Sequence, residues 1–198
     1  MKQRIFLFVT VFLYFILIFL IGKTIFFLIH SSLGGDIPAS ALFDVLYHGL
    51  PLDLSMSGYL TIIPALVLIS SIWIRPEYIA KILNVYFIIF LAVIAIITIA
   101  DITVYPHWGG FHFDSTVFLY LQKPQGVFAS ATFLEFVLGI VGTVAFAILL
   151  FIGYIYIIRK QVMNLQVPKS IGRTSIVLAI LTGALFLPIR GGGLPYLQ

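Results

Sequence analysis

The sequence predicts an all-α polytopic membrane protein with five transmembrane helices, and its composition, uncharged runs and charge placement lead to this prediction. Of the 198 residues, 62% are hydrophobic and only 9% are charged, and the mean hydropathy is +1.17. Soluble domains carry about 25% charged residues, so this chain cannot cover a globular surface in water. The composition therefore excludes a soluble enzyme and a disordered segment, and the lack of cysteine excludes a disulfide-stapled secreted domain.

The first predicted span covers residues 5–29, with Lys2 and Arg4 before it and an uncharged run up to Lys23. Basic residues ahead of an apolar run are also typical of a signal peptide. The apolar stretch is longer than the roughly 7–15 residues of a signal core, and no small-residue cleavage site follows it. We therefore predict a retained signal-anchor helix, with Lys23 reaching the far interface.

Four further spans are bounded by charged residues. They cover residues 54–74, 82–100, 136–158 and 174–189. A helix needs roughly 17–25 mostly apolar residues to cross about 30 Å of hydrocarbon, and the fifth span is the shortest, so it crosses only with little tilt. Residues 1–189 are therefore predicted to form one five-helix transmembrane domain.

The basic residues predict a cytoplasmic N-terminus and an extracytoplasmic C-terminus. With the N-terminus inside, the inner segments hold eight of the 11 Lys and Arg residues, the outer loops hold two, and Lys23 lies at the outer membrane edge. Such a bias follows the positive-inside rule. The net charge of +4 therefore indicates basic cytoplasmic loops, and no nucleic-acid partner is predicted.

The first outer loop is predicted to hold a helix from Asp36 to Gly49, because a polar residue with an early proline suits a helix start and glycine suits an end. Ser40, Asp44 and His48 recur every four residues and share one face. This pattern predicts an amphipathic helix along the outer interface. Its polar stripe is either a surface strut or the border of a lipid-headgroup site.

The second outer loop, residues 101–131, contains His107, His112 and Asp114, and a short helix is predicted from Asp114 to Gln122. Imidazole and carboxylate groups are suitable metal ligands, but their spacing here matches no compact zinc motif. Interfacial histidines more often hydrogen-bond backbone groups or lipid headgroups. No metal site is therefore predicted in this chain.

The spans predict no catalytic chemistry of their own, because only Asn84, Pro64 and scattered Ser and Thr interrupt them. Transporters and intramembrane proteases usually carry ionisable groups at such positions. The chain also lacks the short motifs of zinc peptidases, serine hydrolases and phosphate-binding loops. Gly139, Thr143 and Ala147 form a small-residue stripe that predicts a helix-packing face.

Three outer segments carry a family resemblance: HGLPLDLSMSGYL at residues 48–60, the loop at residues 101–124, and IRGGG at residues 189–193. They resemble the N-terminal membrane domain of the lipoteichoic acid synthase-like sulfatase family, part of the alkaline phosphatase superfamily. The resemblance covers nearly the whole chain. It implies five membrane helices with the N-terminus inside, followed by a large extracytoplasmic catalytic domain. The related phosphoethanolamine transferases share this plan.

The resemblance implies the membrane part of a sulfatase-like enzyme that transfers phosphoglycerol or phosphoethanolamine from a lipid. Family members use a Thr or Ser nucleophile and a divalent metal in the outer domain, so no catalytic residue or cofactor is expected in this chain. Residues 190–198 are interpreted as the start of a linker to that absent domain. The implied partners are membrane phospholipid and a lipid-linked or glycan acceptor, in a bacterial cytoplasmic membrane.

The predicted headgroup contacts are polar residues of the outer side. They are His48, Asp53, His107, His112, Asp114 and Arg190. A carboxylate at the outer mouth of a span is costly unless it is paired, so Asp53 is expected to have a protein partner, with His48 or Arg190 as the best candidates. Arg190 either binds phosphate through its guanidinium fork or only marks the membrane edge.

Two other classes of function fit the sequence as well. One is a small non-catalytic transporter, channel or membrane scaffold, which gains from the lack of catalytic groups and loses from the lack of intramembrane charge and visible inverted repeats. The other is an accessory subunit that binds a separate soluble partner through its outer face.

Overall fold

The computed structural model of the chain describes residues 1–31, 40–106, 133–166, 168 and 170–190. Over these ranges the chain forms helices and no strand, and five helices are long and apolar enough to cross a membrane. The predicted all-helical class and the predicted number of membrane-length helices are therefore confirmed.

The described ranges form helices of very different lengths. They are α1 (Lys2–Ser31), α2 (Ser40–Ser70), α3 (Pro76–Val104), α4 (Phe133–Tyr154), α5 (Lys160–Met163), α6 (Ile171–Ala184) and α7 (Phe186–Ile189). A π-helical turn, Ile155–Arg159, joins α4 to α5. The fourth membrane-length helix comprises α4, this turn and α5, and the fifth comprises α6 and α7.

Helix α2 differs most from the prediction, because it runs from Ser40 without interruption past Gly49 and Pro51. The prediction of a separate interfacial helix that ends at Gly49 is therefore wrong. Proline is tolerated inside apolar helices when neighbouring helices and local adjustments satisfy the freed backbone groups. The predicted helix start at Asp36 lies outside the described residues.

The fifth membrane-length helix is interrupted at one residue, Leu185, between α6 and α7. Pro188 has no N–H to donate to the carbonyl group of Ala184. Close to this gap, the backbone N–H of Leu185 donates to the carbonyl oxygen of Thr182, three residues back, at 3.2 Å. The regular spacing of four residues returns where the N–H of Ile189 donates to the carbonyl oxygen of Leu185 at 3.2 Å. Proline therefore explains why this span divides into a long and a short helix.

The chain divides into two compact units. One contains Met1–Tyr86 and the chain from Gly153 onward, and the other is Phe87–Ile152. In the second unit, a Cβ atom added to Gly139 would lie 3.7 Å from the Thr103 hydroxyl oxygen, and one added to Gly142 would lie 3.7 Å from Ile99. These are ordinary van der Waals distances, so α4 lies beside α3 at both glycines and a larger side chain would fit there.

In the first unit, α1 and α2 pack as an antiparallel pair. Buried residues of α1 alternate at spacings of four and three, and they include Arg4, Phe8, Val11, Phe15, Ile18 and Gly22. Buried residues of α2 follow the same rhythm, and they include Ser57, Thr61, Pro64 and Leu68. A mean spacing of 3.5 residues is typical of left-handed helix pairs.

Candidate functional site

Two polar contacts join α1 to α2, one near each end of the pair. Arg4 and Lys23 are 19 residues apart on α1. Their partners, Ser71 directly after α2 and Asp53 within it, are 18 residues apart. At 1.5 Å per residue these separations are about 27–29 Å, close to the roughly 30 Å of a hydrocarbon core. The two contacts therefore bracket the apolar part of the pair.

The first contact is an ion pair between Lys23 and Asp53. The Lys23 ammonium nitrogen lies 2.8 Å from Oδ1 and 2.9 Å from Oδ2 of Asp53, so it bonds both carboxylate oxygens. The Asp53 side chain is only 4% exposed, whereas that of Lys23 is 26% exposed. Burial of a carboxylate is tolerated only with such a partner, so Lys23 is what allows Asp53 to lie between the helices.

The expectation that Asp53 has a protein partner is confirmed, but the predicted partners are wrong. His48 lies five residues earlier on the same helix, about 140° around its axis, and its Nδ1 lies 2.9 Å from the carbonyl oxygen of Asp44. Arg190 is exposed and has no ion pair with any residue in the described ranges. The antiparallel register of the helix pair, which neither helix encodes alone, places Lys23 opposite Asp53.

Gly49 provides the space that the lysine occupies. A Cβ atom added to Gly49 would collide with the Lys23 ammonium nitrogen and would lie 3.1 Å from Cε. Gly49 is one helical turn before Asp53, so both residues present the same face to α1. The glycine that was predicted to end a helix is therefore a spacer within one.

Buried polar groups continue along this face of α2. Ser57 and Thr61 are both 0% exposed and follow Asp53 at intervals of four residues. The Thr61 hydroxyl donates to the carbonyl oxygen of Ser57 at 2.6 Å. The Ser57 hydroxyl has no hydrogen-bond partner within the part of the chain that the structure describes. The polar face thus extends two turns from Asp53 into the apolar span.

The end of the fifth span packs against the same region of α2. The Ser55 hydroxyl donates to the carbonyl oxygen of Ile189 at 3.1 Å. A Cβ atom on Gly58 would lie 2.9 Å from Cγ1 of Ile189, so glycine is needed for this approach. Arg190 follows directly, and its backbone N–H donates to Phe186 at 3.0 Å. Arg190 therefore lies at the same end of the first unit as Asp53.

The second contact, at the other end of the pair, is made by Arg4, which is only 2% exposed. Its Nε donates to the Ser71 hydroxyl at 3.0 Å and its Nη2 to the Ser71 carbonyl at 2.9 Å. Its Nη1 donates to the carbonyl oxygen of Gln166 at 2.7 Å. Arg4 therefore ties α1 to the end of α2 and to the segment before α6, in addition to being one of the basic residues that predict the orientation.

Asn84 belongs to a further buried polar group. The Tyr154 side chain is 0% exposed, and its hydroxyl donates to Oδ1 of Asn84 at 2.7 Å. A Cβ atom on the adjacent Gly153 would lie 3.1 Å from the Tyr14 hydroxyl oxygen. Residues of α1 and α3 therefore pack against the chain just before the π-helical turn. Asn84, a polar residue within a predicted span, thus has a structural role.

Three predicted headgroup contacts, His107, His112 and Asp114, lie outside the described residues, as does the helix predicted from Asp114 to Gln122. In the ranges that the structure does describe, no group of three or more His, Asp and Glu side chains is arranged to hold a metal ion. Of the predicted contacts that the structure places, Asp53 and Arg190 lie at the same end of one unit, and His48 points its Nδ1 to its own helix.

Sequence reasoning missed Lys23, Gly49 and Ser57. Six residues, five of them apolar, separate Lys23 from His30, which places it inside the helix rather than at its edge. A lysine inside an apolar helix needs an anionic partner, and Asp53 is the acidic residue within the next helix's apolar part. That argument was available from the sequence, whereas the roles of Gly49 and Ser57 depend on the helix register.

Comparison of the chain with protein-family models, with curated proteins and with solved structures finds no match. The resemblance of the outer segments to a transferase family therefore depends on residues 48–60, 101–124 and 189–193 alone. Any functional argument beyond that resemblance depends on the geometry of the Lys23–Asp53 end of the helix pair.

Proposed function

We propose that this chain is the membrane domain of an extracytoplasmic, sulfatase-like transferase that moves phosphoglycerol or phosphoethanolamine from a lipid donor. The orientation comes from the positive-inside bias, with the N-terminus in the cytoplasm of a bacterium and Arg190 outside. In this orientation, the ends of α1 and α2 that carry Lys23 and Asp53 face the outer leaflet.

The observation that carries the proposal is a contact between two of the three segments that resemble the family. Ser55, in residues 48–60, donates a hydrogen bond to Ile189, the first residue of residues 189–193. Gly58 approaches the same Ile189. These segments are 134 residues apart in sequence, and their meeting beside Asp53 supports a shared functional surface at that end.

In this proposal the membrane domain anchors the enzyme and presents the donor lipid, while the reacting groups belong to an outer domain. The reaction breaks the bond between phosphorus and the diacylglycerol oxygen, and the headgroup phosphate is finally bonded to an acceptor hydroxyl on a glycan or lipid-linked glycan. A divalent metal in the outer domain would stabilise charge on the phosphate. Holding the donor in place is itself a large part of such catalysis.

The test is a headgroup-transfer assay on the natural gene product, including any sequence that the gene encodes beyond codon 198. Membranes from expressing cells receive phosphatidylglycerol or phosphatidylethanolamine with a labelled headgroup. We expect diacylglycerol to be released and the label to appear in an acceptor, and the 198-residue chain alone serves as the control. Failure of the natural product to release diacylglycerol from either donor contradicts the proposal.

The Lys23–Asp53 pair favours a second candidate function, a non-catalytic transporter, channel or scaffold. The sequence argument against transport was a shortage of ionisable groups in the spans. Asp53 and Lys23 both lie in membrane-length helices and bond each other, and such groups usually mark function. Substrate-dependent flux into liposomes that contain this chain alone favours transport, whereas tight liposomes together with diacylglycerol release favour the transferase.

A further inference from the structure

We propose that Lys23 binds the phosphate group of an outer-leaflet phospholipid and that Asp53 is the buried counter-ion of its ammonium group. The inference rests on the proposed function, because it names a residue that would contact the donor's phosphate. The ion pair would then bind a ligand in addition to holding α1 against α2.

The first argument is the count of hydrogen-bond donors. A lysine ammonium group has three N–H donors. The two oxygens of Asp53, at 2.8 and 2.9 Å, satisfy two of them. Within the described ranges, Lys23 has no further hydrogen-bond partner, so one donor is available for a ligand oxygen.

The second argument is access. The Lys23 side chain is 26% exposed and that of Asp53 only 4%, so the cation faces outward and the carboxylate lies behind it. A ligand that arrives from outside therefore meets a hydrogen-bond donor, and it must supply an acceptor.

The third argument is the surroundings. Helix α1 continues for about two turns beyond Lys23, and Leu28 and Ile29 on those turns are 58% and 40% exposed. They lie on other faces of α1 than Lys23, and they indicate that this end of the helix is surrounded by lipid. Among the oxygen acceptors that lipids offer there, phosphate is charged, and charge-assisted hydrogen bonds to it are the strongest.

The ion pair also predicts which lipids bind. Because Asp53 offsets the lysine charge, the site gains little from additional negative charge on the ligand. We therefore expect phosphatidylglycerol and phosphatidylethanolamine to bind alike, since both contain a phosphodiester. A lipid with the same acyl chains and a sugar headgroup without phosphate should bind more weakly.

The test measures lipid retention by the 198-residue chain with native mass spectrometry, using phosphatidylglycerol and a phosphate-free glycolipid with the same acyl chains. Lys23→Gln should weaken phosphatidylglycerol binding by about tenfold, the loss of one charge-assisted bond, and leave glycolipid binding unchanged. Asp53→Asn keeps the ammonium group and removes the competing carboxylate, so it should bind phosphatidylglycerol at least as well as the parent. Lys81→Gln, at an exposed lysine of α3, is the matched control and should change nothing.

A purely structural ion pair predicts a different pattern, because both partners would then matter equally. Equal loss of binding in Lys23→Gln and Asp53→Asn overturns the proposal, and so does parental binding by Lys23→Gln. Thermal unfolding of each variant checks the fold. If Lys23→Gln is unfolded, Lys23→Arg decides: it keeps a charged donor and should bind phosphatidylglycerol, and a folded Lys23→Arg that does not bind contradicts the inference.

The outcomes also separate this inference from the proposed function. Headgroup transfer by the natural product, together with phosphatidylglycerol binding that does not depend on Lys23, refutes the inference and leaves the transferase standing. Lysine-dependent binding without any headgroup transfer leaves the lipid site standing and refutes the transferase.

Discussion

Arg4 donates two hydrogen bonds to Ser71. This contact lies at one end of the α1–α2 pair, and Lys23 and Asp53 lie at the other end. Its Nε donates to the serine hydroxyl at 3.0 Å, and its Nη2 donates to the serine carbonyl at 2.9 Å. Ser71 follows the last residue of α2, where the helix dipole is negative and a cation is favourable. The antiparallel pair is therefore fixed in register at both ends of its apolar part.

The first prediction concerns this contact. Arg4→Met should lower the free energy of unfolding by at least about 2 kcal/mol, because the carbonyl groups of Ser71 and Gln166 lose their donor. Arg4→Lys should recover only part of the loss, since an ammonium group cannot reproduce the guanidinium fork. Denaturant unfolding in detergent micelles measures both. Lys2→Met, at an exposed lysine of the same turn, is the control, and a loss no larger than this control's contradicts the role of Arg4.

The second prediction concerns the coupling between Lys23 and Asp53. Lys23→Met should cost about 3–5 kcal/mol of stability, because it leaves the buried Asp53 carboxylate without its cation. The double variant Lys23→Met with Asp53→Leu should regain most of that stability, since an apolar pair needs no counter-ion. Unfolding of the two single variants and the double variant gives the interaction energy. Additive losses would show that the two side chains act independently.

The third prediction compares two glycines. Alanine in place of glycine normally stabilises a helix by roughly 0.5–1 kcal/mol. Gly49→Ala should instead destabilise the protein, because the new methyl group displaces the Lys23 ammonium group from the two oxygens of the buried Asp53. Gly183→Ala should stabilise it, because no atom lies within 4 Å of the new methyl position. Thermal unfolding temperatures of the two variants check the opposite signs, and the same sign for both contradicts the Lys23 geometry.

The number of membrane-length helices followed directly from the sequence. Hydrocarbon excludes unpaired charge, so residues such as Arg75, Asp101 and Glu135 mark where one apolar run ends or another begins. That signal is strong because it averages over some 20 residues. It does not fix helix ends, and α2 begins 14 residues before the predicted span because its outer part is helical as well.

The packing faces were not predictable from hydropathy. On α1, Phe15 is fully buried, whereas Leu13 and Leu17 are 55% and 46% exposed. All three are equally suited to lipid and to a helix neighbour, because a bilayer is as apolar as a protein interior. Only small and polar residues such as Gly22, Ser57 and Thr61 distinguish the face of each helix that contacts its neighbour from the faces that contact lipid.

The partner of Asp53 was missed for a related reason. A lysine near the end of an apolar run is typical of a side chain that reaches the interface alone, and the sequence of one helix does not show its partner. The pairing depends on the register of α1 against α2. That register depends on all the side chains between the two helices and on the space that Gly49 leaves for the lysine. The sequence around Asp53 shows that this carboxylate needs a partner. Which residue is the partner depends on how the two helices pack.

The fourth prediction concerns the buried Tyr154. Tyr154→Phe removes the donor to Asn84 and should cost about 1–3 kcal/mol, because the amide oxygen is left without a partner. Tyr156→Phe is a matched control, since Tyr156 is 74% exposed two residues further along. Unfolding in micelles compares them. Equal stability of the two variants contradicts a structural role for the Tyr154 hydroxyl.

The orientation of the helices is the claim on which the outer-leaflet site and the proposed transferase both depend. The chain contains no cysteine, so single cysteines introduced at the exposed Ser40 and Glu77 report on opposite ends of the helices without background. Labelling of intact cells with a membrane-impermeant maleimide is the most direct measurement. We predict that Ser40→Cys is labelled in intact cells and that Glu77→Cys is labelled only after permeabilisation. The reverse pattern would place Lys23 and Asp53 at the cytoplasmic leaflet and contradict the account.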